Sequence, residues 1–134
     1  MSRKAAREKE YKLIFEYLFL EFPNEITLET LLNEWDLDEN DKEYLRSTYT
    51  GIIENYEYLI RYVEKYSVKY STEINVRSDV AIMLIAIYEM KYLGLPVPVA
   101  VNEAVNLSKK YSSEKSGAYI NGVLASVAKE LEAK

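Results

Sequence analysis

The chain contains no cysteine and no histidine. The first absence excludes a disulfide framework and a thiolate metal site, and it suits a reducing compartment. The second removes the commonest general base, the imidazole metal ligands and every Cys/His nucleophile pair. Only carboxylates, lysine, tyrosine and serine remain for catalysis. No Gly-rich phosphate loop, H-E-x-x-H or G-x-S-x-G motif occurs, and no strand-like alternation is bounded by turn dipeptides. No apolar run reaches the roughly 18 residues of a membrane span, and the basic N-terminal residues MSRKAAREKEYKL lead into no apolar segment. The expectation is a cytoplasmic protein that is not an enzyme, with no cofactor, no metal and no membrane association.

Apolar residues make up 49% of the 134 positions, enough to bury the core of one domain. The net charge of -5 is unevenly distributed. Residues 1–12 carry five cations against two acids, residues 13–43 ten acids against Lys42 alone, and residues 101–134 five cations against four acids. The acidity is therefore local. A basic arm and a mildly basic tail flank an acidic lobe, which leaves room for an anion-binding face.

Helical periodicity runs almost throughout. Ala6, Leu13, Ile14, Tyr17 and Leu18 form one stripe, which Pro23-Asn24 ends. Thr27 is the expected N-cap of a short helix bearing Leu28, Leu31, Leu32 and Trp35. From Glu39 to Tyr70 a stripe of Leu45, Tyr49, Ile52, Tyr56, Leu59, Val63, Tyr66 and Tyr70 is too long for one helix here, and a break is expected near Gly51 to Tyr58. Ser78 is the expected cap of a helix apolar on every face from Val80 to Tyr88, which reads as central and buried. Gly94 stops it, and Pro96 and Pro98 prevent its continuation. A helix from about Val99 turns Ala100, Val101, Ala104, Val105 and Leu107 inward. The last helix, capped by Ser112 or Ser113, does the same with Ile120, Val123, Leu124, Val127 and Leu131. Gly117 and Gly122 lie inside it, each costing about 1 kcal/mol against Ala, and close approach of a neighbour would account for them.

Read in order, Ala86-Ile-Tyr-Glu89, the Pro96-Val-Pro98 connector, Val101-Asn-Glu-Ala-Val105, Lys109-Lys-Tyr111 and Tyr119-Ile-Asn-Gly-Val-Leu124 resemble the NusB family of bacterial transcription antitermination factors. Ala6-Arg7-Glu8 is similar to the start of that family's first helix. The chain departs from the family pattern at Phe15, where many relatives have an aromatic hydroxyl, at Glu10 for a small residue, and at Leu84 for an arginine.

The resemblance implies an all-α fold of about seven helices in two packed bundles, about 1–55 and about 56–134. It further implies binding of boxA-type single-stranded RNA together with the ribosomal protein NusE, and assembly of an antitermination complex on RNA polymerase, notably for ribosomal RNA operons. Such RNA is held by cations along its backbone and by aromatic faces on which bases stack. The residues indicated are Arg3, Lys4, Arg7, Lys12 and Phe15 on the first helix, and Lys115, Ser116 and Tyr119 at the start of the last, where free N–H groups also favour an anion. Asp79 and Glu89 are assigned to a partner-facing edge, while Asn102 and Asn121 are read as structural. A homodimer that covers the basic face until a partner arrives is the alternative.

Overall fold

The computed structural model describes residues 3–67 and 74–133 and divides into two compact units, Met1–Glu54 and Asn55–Lys134. Seven helices are found among the described residues, with no strand. The first unit holds α1 (Arg3–Leu20), α2 (Glu25–Leu32) and α3 (Glu39–Glu54), with α1 packed chiefly on α3. Its buried side chains include Ala6, Leu13, Ile14, Leu28, Leu45, Tyr49 and Ile52. The second unit holds α4 (Tyr56–Tyr66), α5 (Ile74–Tyr92), α6 (Val97–Tyr111) and α7 (Glu114–Glu132). Its α5 contacts all three of the others. Every residue from Ala81 to Ile87 is buried, as expected of a helix without a polar face.

Local chemistry explains most of the boundaries and corrects several expectations. Asn24, not Thr27, caps α2: its Oδ1 accepts the N–H groups of Ile26 at 3.1 Å and Thr27 at 3.3 Å. Thr27 instead donates its hydroxyl to Glu16 of α1 at 2.8 Å. The break in the long stripe falls at Asn55, between α3 and α4; Tyr70 lies outside the described residues. Ser78 is not a cap but sits within α5, where its hydroxyl donates to the Tyr111 carbonyl at 3.0 Å. Pro96 takes the cap position of α6, and Pro98 falls in the first turn, where a missing N–H breaks no helical bond. Gly94, at φ +68°, lets the chain leave α5 while the N–H groups of Leu93 and Leu95 both reach the Glu89 carbonyl.

Two expectations about packing also change. A Cβ on Gly117 would meet Ser108 and Val105 at 3.6 Å, an ordinary contact, and one on Gly122 would meet nothing within 4 Å. No close helix approach accounts for either glycine. Trp35 was placed on the apolar stripe of α2, but α2 ends at Leu32, so helical spacing no longer governs it and it is 91% exposed. The turn that carries it is clamped by Lys9, whose buried ammonium lies 2.8 Å from Glu34 and 3.0 Å from Asp36, one carboxylate on each side of the tryptophan.

Burial pulls the Lys9 ammonium down, yet Glu34 and Asp36 together outweigh it and leave it above the ordinary lysine value. Asp36 is held below the ordinary carboxylate range, chiefly by its hydrogen bond from Lys9. Lys9 thus contributes stability that is lost as pH rises through its raised value, and Asp36 contributes stability lost as pH falls through its lowered one. The clamp is fully present between the ordinary carboxylate and lysine ranges. Replacing Lys9 by Met should cost about 1 kcal/mol, discounted because both partners are partly exposed. Denaturant unfolding near neutral pH measures it, with emission of the sole tryptophan reporting the turn. Gly122→Ala should raise stability by about 0.5–1 kcal/mol, because the helix interior gains a better former and nothing obstructs the methyl group. A melting temperature at or below that of the parent would contradict this.

Candidate nucleic-acid interface

On α1 the helical period of about 100° per residue sets Lys4, Glu8, Lys12, Phe15 and Phe19 within one arc of about 80°. Lys4, Lys12 and Phe19 are exposed and Phe15 is half-buried. Phe15 is the middle ring of a ladder. Its centroid lies 5.8 Å from the buried Tyr11, nearly parallel, and 5.1 Å from Phe19, edge to face. Two lysines therefore flank an aromatic surface that is supported from beneath.

The arginines of the same helix point elsewhere. Arg3 Nε lies 3.3 Å from the buried Asp41, and its guanidinium covers the Tyr44 ring at 4.3 Å. Arg7 is itself buried, 6.0 Å from the same ring. Tyr44 and Asp41 of α3 thus receive both cations, and the contact ties α1 to α3 within their unit.

At the start of α7 the exposed residues are Lys115, Ala118, Asn121 and Gly122, with Tyr119 half-buried. Beneath them Asp79 of α5 accepts hydrogen bonds from the Ser112 hydroxyl at 2.6 Å and the Ser116 hydroxyl at 3.1 Å. Ser116 is also 2.9 Å from Ser112 and 3.0 Å from Ser113. Adjacent residues of α5 thus grip both sides of the α6–α7 turn, Ser78 through the Tyr111 carbonyl and Asp79 through the serines. Burial pushes the Asp79 carboxyl above the ordinary carboxylate range, against the two hydroxyls, which pull it down.

The all-helical fold of the described residues agrees with what the comparisons return. The model of the NusB family matches residues 4–129. The chain belongs to the NusB family. It is 39% identical over 130 residues to the transcription antitermination protein NusB of Acetivibrio thermocellus, spanning 96% of this chain and 90% of that one. Against the same-named protein of Thermoanaerobacter sp. the identity is 38%, over 97% and 92% of the two chains. The solved structure of T. maritima NusB superposes with a TM-score of 0.84 at 28% identity, covering 97% of this chain and 92% of that one. The NusB family consists of transcription antitermination factors, not of enzymes.

Against the family-based expectations, the structure leaves Lys4, Lys12 and Lys115 exposed and Phe15 and Tyr119 half-exposed. Arg3 is partly exposed but engaged by Asp41. Arg7 and Ser116 are turned inward, and so are Asp79 and Glu89, which were assigned to a partner edge. The physical reasons differ: Arg7 turns toward the Tyr44 ring, Ser116 and Asp79 hydrogen-bond to each other, and Glu89 is carried inward next to the fully buried stretch of α5. Asn102 and Asn121, read as structural, are exposed. The Asp79–serine cluster was missed, although three serines within five residues and an acid at the start of the apolar run of α5 carried the signal.

Because the folded-state value of Asp79 is the higher one, its carboxyl contributes stability below the ordinary carboxylate range and loses it as pH rises through the raised value. Asp79→Ala should cost about 2 kcal/mol by removing a buried acceptor from two hydroxyls, and Asp79→Asn less, since an amide still pairs with them. The Asn variant should also lose the wild-type drop in stability across that acidic window. Unfolding curves at two pH values, below and above it, check both statements.

Proposed function

We propose that the chain acts in transcription antitermination by binding boxA-type single-stranded RNA together with the ribosomal protein NusE, in the cytoplasm, as part of a complex assembled on RNA polymerase. The observation that supports it is the exposed face of α1, where Lys4 and Lys12 flank the supported ring of Phe15. Cations that neutralise phosphates beside an aromatic surface that stacks bases are what single-stranded RNA requires. Lys115 and Tyr119 repeat the pairing at one-turn spacing on α7, close to its N-terminus, where unpaired N–H groups add to the attraction for phosphate.

In this reading Arg3 and Arg7 play a supporting part. They stack on Tyr44 and hold α1 in place, so RNA contact falls to the lysines. NusE is assigned no residues on this chain, because the carboxylates Asp79 and Glu89 are both buried. Homodimerisation over the basic face is the competing reading and would appear as a salt-sensitive dimer.

Anisotropy titrations of labelled boxA RNA, with and without NusE, test the proposal. Affinity should fall with salt at about 0.7 log units per log unit of salt for each phosphate engaged. Lys4→Glu and Lys12→Glu should each weaken binding and flatten that slope by about one phosphate, at unchanged melting temperature because both residues are exposed. Absence of binding both with and without NusE would refute the proposal.

A further inference from the structure

Helix α4 carries a second combination of rings and cations. Tyr58, Arg61, Tyr62 and Lys65 recur at helical spacing and, with Glu130 of α7, line a pocket of about 280 Å³ within the second unit. Tyr58 is 63% exposed, and the Arg61 guanidinium lies 6.0 Å from the centre of its ring. Arg61 forms no ion pair among the described residues. Tyr62 is buried at the pocket floor, with the Lys91 ammonium 5.8 Å from its ring. Lys65 is paired to Glu130 at 2.7 Å, and Glu130 also accepts the Tyr66 hydroxyl at 2.6 Å.

The chain's own packing has no use for a ring left open to solvent beside a cation without a counter-ion. A base needs a flat apolar face, and its phosphate needs a cation a few ångströms away. We propose that this is a nucleotide pocket, in which the base stacks on Tyr58 and the phosphate is met by Arg61. Its size suits one base with its sugar and excludes a helix or a folded segment. Charge decides which contact dominates. Arg61, Lys65 and Lys91 are offset by Glu130 and by Glu57 and Glu64, which occupy neighbouring positions on α4. Near-neutrality leaves stacking as the main contribution and makes binding here weakly salt-dependent, unlike binding to the lysine faces of α1 and α7.

The nucleotide is carried by single-stranded RNA or is free in solution. The first case rests on the RNA-binding reading above. It extends that reading to a new surface, since Lys115 and Glu130 are separated along α7 by about 22 Å of helix rise.

The test combines photo-crosslinking of thiouridine-substituted single-stranded RNA, mapped by mass spectrometry, with uridine monophosphate titrations of wild type, Tyr58→Ala and Arg61→Ala. A crosslink in the peptide containing Tyr58 is expected, with affinity about fivefold or more weaker in Tyr58→Ala at both low and high salt. Arg61→Ala should show a smaller loss, confined to low salt. Circular dichroism confirms that these surface variants fold. Uridine monophosphate bound at Tyr58 without any RNA binding would support the pocket and remove the RNA reading. RNA bound without a crosslink to Tyr58, with no loss of either RNA or uridine monophosphate affinity in Tyr58→Ala, would overturn the pocket and leave the RNA reading standing. Binding of neither ligand overturns both. If Tyr58→Ala weakens binding of NusE but of no nucleotide, the pocket belongs to a protein partner and the proposal falls.

Discussion

Between Ala81 and Ile87, helix α5 has no polar side chain, so water must be excluded from its whole circumference. One neighbouring helix covers only a stripe of another, and three are needed to close the ring. Helices α4, α6 and α7 supply them. That requirement sets the second unit: the chain must leave α5 sharply, which Gly94 and the two prolines allow, and must return twice along it. Each ionisable group carried inward on α5 then needs a partner. Asp79 has two serine hydroxyls, and these lie in the α6–α7 turn, so the burial of α5 also fixes where α7 begins.

Helix faces not needed to cover apolar surface are the ones that reach solvent. In the second unit this leaves Lys115 and Tyr119 at one end of α7, and Tyr58 and Arg61 on α4. In the first unit it leaves Lys4, Lys12 and Phe15 on α1. The cations of α1 are sorted by the same rule. Arg3 and Arg7 turn toward the ring of Tyr44, Lys9 turns toward Glu34 and Asp36, and Lys4 and Lys12, on the arc between them, keep their charge in solvent. A basic segment of five cations thus supplies three structural contacts, of which Arg3 stays partly exposed, and two exposed lysines.

Helix count, the all-α class and the buried character of α5 were legible in the chain itself, because periodicity and the run from Val80 to Tyr88 depend on residues close in sequence. The same holds for the stop at Gly94 and the interruption near Asn55. Capping was read less well. Thr27 and Ser78 have the right side chains for caps, but each hydroxyl is used by a residue distant in sequence, Glu16 and Tyr111 respectively. Trp35 was misread because a helical stripe was extended past the helix end at Leu32. Gly122 was read as a sign of close packing, and its surroundings are open.

Family membership followed from short motifs whose order and spacing are properties of sequence alone. So did the absence of cysteine and histidine chemistry and the local nature of the acidity. Tertiary structure alone decided which charged side chains are available. Arg7, Ser116, Asp79 and Glu89 resemble surface residues by type, but a side chain's exposure depends on partners tens of residues away, which no local pattern contains. For the same reason the pocket beside Tyr58 became visible only when α4 and the far end of α7 were brought together.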